Sequence, residues 1–145
     1  MVTLDAVPQM KLIAGVNLEV GQIFTEKHVR LHASAEDGTR ILAMRFWPRG
    51  VKRDHIDQWI RGLAPSRELL KWCWTSQGEL DPDIYANTWK RRYREEMAGQ
   101  TDLIENLRER LKSGESVTLL CVCHRRDDCH RLELAKIIRE PDSPA

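Results

Sequence analysis

Apolar and polar positions alternate in two stretches of the first third of the chain, which is the pattern of half-buried β-strands. In "HVRLHAS" the alternation puts Val29, Leu31 and Ala33 on one side, and the following residues 36–38 predict a turn. "RILAMRFW" predicts a second strand, which Pro48 ends.

The middle of the chain changes to a helical period. From Asp54 the spacing i, i+3, i+4, i+7 predicts an amphipathic helix, whose apolar residues are Ile56, Trp59, Ile60 and Leu63. Ser66 is predicted to cap a second, short helix over "RELLKWCW", because its hydroxyl can accept a hydrogen bond from an amide of the first turn.

Two longer helices are predicted next. Asp81 stands at a cap position and Pro82 at the first helical position, where a missing amide hydrogen costs nothing. The buried ridge of this helix is Tyr85, Trp89, Tyr93 and Met97, each four residues apart. Thr101 is predicted to cap the following helix, and Gly114 to end it in a left-handed conformation.

The stretch "SVTLLCVC" is apolar on both faces, which predicts a central, parallel strand covered by helices on each side. A last helix is predicted from near Asp128 until Pro141 stops it. We therefore expect a single layered α/β domain with a small, mainly parallel central sheet flanked by helices. It would span residues 22–140, after an N-terminal extension over 1–21 and before a flexible tail over 141–145.

Composition narrows the class of protein. The chain has 145 residues, enough for one domain, and its 23 basic and 22 acidic residues give a net charge near +1. Because such a chain has no overall field to attract nucleic acid or an anionic membrane, any anion site must be local.

The first twenty residues carry charges and a proline among the apolar positions, so neither a signal peptide nor a membrane span is expected. We expect a cytoplasmic protein without membrane contact. In that compartment, cysteines are expected to act as thiols or metal ligands rather than in structural disulfides. The chain has four of them: Cys73, Cys121, Cys123 and Cys129.

Reactive side chains crowd into "CVCHRRDDCHR", at the end of the central strand. Cys121 and Cys123 share one face of the strand, because alternate side chains point the same way. Cys129, His130 and Arg131 begin the last helix, where unpaired amides and the helix dipole favour negative charge. Such an environment favours an ionised thiol.

Three functional interpretations of this turn stand beside a purely structural one. In the first, Cys129 or Cys123 is a nucleophile or a redox thiol, with His130 as a further catalytic residue, above an anionic ligand that Arg131 and the helix amides hold. In the second, zinc or iron is bound by Cys121, Cys123, Cys129 and one histidine, His124 or His130. In the third, arginines and amides form a phosphate-binding loop. In the structural interpretation, Cys121 and Cys123 are small buried hydrophobic residues.

The arginine-bearing phosphatase loop is disfavoured. It requires an arginine six positions after its cysteine, and those positions hold Asp127 and Cys129.

A second cluster, "RFWPRG", ends the other apolar strand with Arg45, Trp47 and Arg49. Open α/β sheets bind ligands at the carboxyl ends of their strands, so both clusters are expected to meet in one crevice. There the arginines would hold an anion, and Trp47 would either wall a flat ligand such as a nucleobase or belong to the core. Arg92 either lines the same site or is solvated.

The motifs "RFWPRG", "APS", "RRY" and "VTLL" resemble the YeaO-like family, which contains the domain of unknown function 488. The resemblance covers roughly residues 29–140 and implies a compact α/β domain. Arg45, Trp47, Arg49 and Tyr93 match its motifs, which adds Tyr93 to the candidate substrate-binding residues. The family has no settled activity, and the cysteine-bearing turn is similar to another branch of the same superfamily.

Our leading hypothesis is an enzyme acting on a phosphate-bearing or other anionic substrate, such as a nucleotide or nucleic acid. Cys129 would be the thiolate, and Arg131, Arg45 and Arg49 the anion ligands. The alternative is a non-enzymatic, metal-stabilised module that contacts nucleic acid or a partner protein. A small accessory protein that acts through a protein partner is a third hypothesis.

Overall fold

The computed structural model describes residues 18–122 and 129–140. Its sheet has four parallel strands, β1 (Phe24–His28), β2 (Thr39–Leu42), β3 (Gln58–Trp59) and β4 (Val117–Cys121), in the order β1-β4-β2-β3. All five residues of β4 are buried, so the prediction of a central parallel strand is confirmed. The predicted single α/β domain is likewise confirmed.

Four α-helices accompany the sheet: α1 (Arg67–Ser76), α2 (Pro82–Ala98), α3 (Thr101–Lys112) and α4 (His130–Arg139). Within the described part of the chain, none of them has the length and apolar character needed to cross a bilayer.

The helix boundaries follow the predicted caps closely. Ser66 accepts a hydrogen bond from the amide of Leu69 at 3.1 Å, and the Asp81 carboxylate accepts from the first turn of α2. The predicted Thr101 cap is wrong, because Thr101 is the first residue of α3 and Gln100 is its N-cap. Gly114 follows the end of α3 with a φ of +100°. The Ser66 and Asp81 caps were predictable because each side chain satisfies amides that the helix leaves unpaired.

The predicted helix from Asp54 is wrong. The segment forms a 3-10 turn (Arg53–His55), then β3, then a second 3-10 turn (Arg61–Leu63). Between the two turns the amides bond to β2 instead of forming a helical ladder: Asp57 donates to the Arg40 carbonyl, and Ile60 to the Leu42 carbonyl. Its apolar residues divide between two separate clusters, so their spacing does not describe one helix face.

The first predicted strand is also misplaced. β1 ends at His28, and Leu31 lies beyond it with 55% of its surface exposed. The pairing of β1 with β4 fixes the register, with Phe24 opposite Val117 and His28 opposite Cys121. Val29 is buried, as predicted, and donates to the Cys121 carbonyl.

The two faces of the sheet have different covers. On the helix face, Ile41, Val117 and Leu119 join one cluster with apolar residues of α1, α2, α3 and α4. On the loop face, Val29, Leu42 and Leu120 contact side chains of residues 44–59, and this described cluster includes no residue of the four helices. The expected helices on both sides are therefore replaced, on the loop face, by a segment that carries Trp47 and Trp59.

Candidate active site

The carboxyl ends of β1, β4 and β2 lie at one edge of the sheet because the strands are parallel. Cys121 is the last residue of β4, and strand alternation puts its side chain on the helix face. Cys129 directly precedes α4 and has an extended backbone, with φ −95° and ψ 136°. A strand end and a helix start thereby bring two cysteines together across eight positions.

The two sulfurs form a buried pair. Cys121 Sγ lies 2.8 Å from Cys129 Sγ, and the two residues are 0% and 1% exposed. This separation exceeds the roughly 2.05 Å of a disulfide bond. The two cysteines are therefore not joined by a disulfide, and either sulfur can be the donor in their contact.

Arg131 supplies the charge beside this pair. Its Nη1 donates to Cys121 Sγ at 3.0 Å and to Cys129 Sγ at 3.4 Å, and its Nε donates to Glu26 Oε1 at 2.6 Å. Burial acts to lower the pKa of Arg131, but negative charge on Cys121 and the contact with Glu26 more than offset it, so the pKa lies above its usual value. The guanidinium therefore stays cationic next to the sulfurs.

His130 is held from two sides. Its Nε2 lies 2.5 Å from the Ala43 carbonyl, and since a carbonyl only accepts, Nε2 carries the hydrogen. Its ring meets Tyr93 edge-on at 5.8 Å between centroids. The tautomer makes Nδ1 the ring atom that can accept a proton.

Tyr93 anchors the wall behind this histidine. It is fully buried and donates its hydroxyl to the Leu63 carbonyl at 2.7 Å. Burial, helped by negative charge on Cys129, raises the pKa of Tyr93 well above its usual value. Tyr93 therefore remains a neutral donor that positions the His130 ring.

A cavity of about 470 Å³ opens beside the thiol pair. Cys121 and His130 belong to its lining, together with polar Arg45 and Gln77 and with four aromatic residues, Phe46, Trp74, Tyr85 and Trp89. Phe46 and Trp74 are 48% and 68% exposed, which is unusual for large apolar side chains. Among the described residues, the buried Trp89 Nε1 meets no hydrogen-bond acceptor.

Arg45 is shared between this cavity and a neighbouring one of about 490 Å³, which Ser66 and Glu96 border. Its guanidinium donates to the Pro65 and Ala64 carbonyls, at 3.2 Å each. The same cavity is thus lined by Arg45 from the segment after β2, by Cys121 from the end of β4 and by His130 from the start of α4.

Other predicted substrate-binding residues lie apart from it. Trp47 packs on the loop face, 5.3 Å from Trp59 between ring centroids, and donates to the Val51 carbonyl. Arg49 is exposed, and its carbonyl accepts from Arg30. Neither residue lines the cavity, so their binding roles stay predictions.

Arg92 is not among the described lining residues of the cavity, but it contacts a neighbour of one of them. Its guanidinium lies over the Trp72 ring at 5.5 Å, and Trp72 stacks on Tyr85, which lines the cavity. Cys123 and His124, predicted as a catalytic thiol and a metal ligand, lie outside the described residues.

Several residues of the site were not predicted from the sequence. Glu26 belongs to β1, a strand that was not predicted, so its contact with Arg131 was out of reach. The residues of α1 that line the cavity could have been predicted to share one helix face, because they are spaced i, i+3, i+4 and i+7: Leu70, Cys73, Trp74 and Gln77.

A metal could be held here by part of the predicted set. One ligand atom each of Cys121, Cys129 and His130 lie within 4.8 Å of one another, and all three residues are buried. The Arg131 cation already contacts both sulfurs, and this opposes a further positive charge at that position.

The family model of the active DUF488-N3 subclade matches residues 24–142. The chain therefore belongs to the DUF488 family, as the sequence resemblance indicated. It is 34% identical to the uncharacterized protein YeaO of Escherichia coli K12 over 115 residues, which is 78% of this chain and 94% of YeaO. It is also 32% identical to the uncharacterized protein Rv3073c of Mycobacterium tuberculosis over 72 residues, or 48% of this chain and 56% of that protein. No solved structure matches the chain significantly.

Proposed function

We propose that the chain is an enzyme that acts on an anionic substrate with a flat ring, of the nucleotide class, and that its catalytic centre is the cluster of Cys121, Cys129, His130 and Arg131. The observation that carries the proposal is the contact of one buried guanidinium with two sulfurs beside an aromatic cavity. The description of the matching family model as an active subclade supports an enzyme.

The chemistry begins with the sulfur. A cation in contact favours the thiolate, which is the nucleophilic form of cysteine. Cys121 is the nucleophile in this proposal because it lines the cavity, and Cys129 shares its charge at 2.8 Å. This transfers to Cys121 the role that the sequence suggested for Cys129 and keeps both cysteines in the centre.

His130 is the candidate general acid or base. It lines the same cavity, and its Nε2 hydrogen is committed to the Ala43 carbonyl. Nδ1 is then the atom that takes up and returns a proton during the reaction. Tyr93 acts through His130 as a positioning residue.

The aromatic walls define the substrate class. A volume of about 470 Å³ falls in the range of small-molecule sites, roughly 300–1,000 Å³. An exposed indole or phenyl ring is retained at a cavity mouth when a flat ligand covers it, and base stacking on such a ring contributes about 1–3 kcal/mol. Arg45 provides a cation at the wall for the anionic group, and a ligand oxygen would satisfy the Trp89 donor.

The binding test uses tryptophan fluorescence, since Trp74 and Trp89 line the cavity. Adenosine, cytidine, guanosine and uridine monophosphates are titrated, with ribose 5-phosphate and inorganic phosphate for comparison. We expect at least one nucleoside monophosphate to bind more tightly than both comparison compounds. Trp74→Ala should weaken that binding by about tenfold, from the loss of stacking. Equal binding of phosphate and nucleotide would contradict the assignment of a flat substrate.

The catalytic test follows the mass of the bound nucleotide after incubation with the protein. Cys121→Ser should lower its conversion by about a thousandfold or more, as removal of a nucleophile does in other enzymes. Cys73→Ser is the matched control, because Cys73 is a second cysteine that lines the same cavity and lies in α1, outside the proposed catalytic cluster. A Cys121→Ser variant with unchanged conversion would refute the catalytic thiol.

A metal-stabilised binding module is the second candidate, which the close approach of the Cys121, Cys129 and His130 ligand atoms favours. Elemental analysis of protein purified without chelators distinguishes the two. Stoichiometric zinc or iron, lost in Cys129→Ser, would support the module, since structural metal sites bind tightly. Metal-free, folded protein would support the enzyme.

A further inference from the structure

We propose that Cys121 and Cys129 form a reversible disulfide, which makes the pair a redox-modification site that takes a peroxide as oxidant. The sulfurs are 2.8 Å apart and need to approach by less than about 1 Å to reach a bond length of about 2.05 Å. Inside the cell, disulfides of this kind are typically transient and redox-sensing.

The backbone around the pair permits this approach. Cys129 lies before the first residue of α4 in extended conformation, and its carbonyl accepts from Leu132 while its side chain makes no capping bond. A small shift of its sulfur therefore leaves the helix hydrogen bonds in place. Cys121, by contrast, is fixed by its position in the central strand.

Burial selects the oxidant. Since the two residues are 0% and 1% exposed, hydrogen peroxide is better suited to reach the sulfurs than a large disulfide. One sulfur attacks the peroxide, the O–O bond breaks, a sulfenic acid forms and one water leaves. The second sulfur then attacks the sulfenic acid, the S–S bond forms and a second water leaves. Two thiols and one peroxide thus become one disulfide and two waters.

The disulfide would regulate the proposed active site. It removes the thiol of Cys121 and weakens the two contacts of Arg131 with sulfur, because a disulfide carries no charge, while the contact of Arg131 with Glu26 stays. This regulatory consequence rests on the proposed function, whereas the disulfide itself does not.

The test maps thiols by mass spectrometry, without any substrate. Reduced protein is treated with hydrogen peroxide, the remaining thiols are blocked, and trypsin cuts at Arg125 and Arg126 between the two cysteines. We expect a linked pair of peptides two mass units below the sum of their thiol forms, which dithiothreitol separates. Cys73 should stay fully blockable and serves as the internal control.

Cys123 lies on the same tryptic peptide as Cys121, so a Cys123→Ser variant completes the assignment. The linked peptides should persist in Cys123→Ser and disappear in Cys129→Ser, where Cys121 accumulates as sulfenic acid. Loss of the link in Cys123→Ser, or complete blocking of Cys121 and Cys129 after peroxide treatment, would overturn the inference. A mapped link that leaves nucleotide conversion unchanged would instead refute the proposed function.

Discussion

Two arginines, Arg131 and Arg40, are buried to the same extent on opposite faces of the sheet, each 6% exposed. Arg131 lies on the helix face and donates to two sulfurs and one carboxylate. Arg40 lies on the loop face and contacts the Asp37 carboxylate, the His55 carbonyl and the His55 Nε2. The comparison shows that burial of a cation does not by itself define a reactive site; its partners do.

The loop-face group, which consists of Lys27, Asp37, Arg40 and His55, stabilises the fold. Asp37 is 2% exposed, and its carboxylate forms ion pairs with Lys27, at 2.5 Å, and with Arg40. It also completes a capping box with Ser34. Each charge there has an opposite charge, and no cavity among those described includes Asp37 or Arg40. The helix-face group, which consists of Arg131, Cys121, Cys129 and Glu26, borders a cavity and contains two polarisable sulfurs. Of the two groups, only this one contains a nucleophile.

The largest effect is expected from Arg40→Met. Removal of the guanidinium leaves the Asp37 charge buried with Lys27 alone, and breaking a buried pair costs about 3 kcal/mol or more. Urea unfolding should show that loss, with thiol reactivity unchanged in the folded protein. A loss below about 1 kcal/mol would end the structural assignment of Arg40.

Low pH should destabilise the fold through the same loop-face group, by protonating Asp37. Burial tends to raise the pKa of Asp37, but hydrogen bonds from Lys27, Ser34 and Arg40 more than offset it, so the pKa lies below its usual 3.8. The ionised carboxylate then adds stability that is complete above the unfolded pKa and is lost as the pH falls through the lower folded value.

We therefore expect stability to fall below about pH 4, and to fall less in Asp37→Asn. Unfolding free energies at about pH 6 and about pH 3 would measure this difference between the two proteins. The same acid dependence in both proteins would contradict this role of Asp37. The pKa values of Glu115 and Glu140 are also lowered, mainly by Arg110 and Arg94 respectively. Those two carboxylates would then explain all of the stability lost in acid.

A smaller effect is expected at Trp47. If its indole serves the loop-face core, Trp47→Phe should cost about 1 kcal/mol, from the hydrogen bond to the Val51 carbonyl at 2.8 Å. Nucleotide binding should be unaffected. Weaker binding with unchanged stability would instead support the substrate-binding role predicted from sequence.

The smallest effect is expected at the exposed pair Arg91 and Glu95, where the charged atoms are 3.4 Å apart. Glu95→Gln should change the unfolding free energy by less than about 0.5 kcal/mol, because solvent screens such pairs. A cost comparable to that of Arg40→Met would undermine the use of burial in ranking these charges.

The elements that sequence reasoning predicted well are those with local causes. β4 is a continuous apolar run, and α1 and α2 begin at side chains that satisfy their own first turns. β1 has a different origin: "FTEKH" carries two charged residues, and only its pairing with β4 makes it a strand. The failed helix at Asp54 likewise results from hydrogen bonds to β2, which lies distant in sequence.

The residues of the candidate site likewise divide into those that the sequence predicts and those that it does not. Cys121, Cys129 and Arg131 were predictable as neighbours because a strand end and a helix start are joined by a short segment. Arg45 followed from parallel strands that end at one edge. The wall from Trp74, Tyr85 and Trp89 depends on how α1 and α2 dock on the sheet, which no local pattern encodes.

The most direct test of the central claim, that Arg131 makes Cys121 the reactive thiol, is the order in which cysteines of the reduced protein are alkylated by iodoacetamide at neutral pH. Exposure alone favours Cys73, which is half-buried, over Cys121, which is fully buried. We predict that Cys121 nevertheless reacts faster than Cys73, and that Arg131→Gln reverses the order while Arg40→Met, in its folded state, does not. Faster alkylation of Cys73 in the unaltered protein, with no change in Arg131→Gln, would contradict the account.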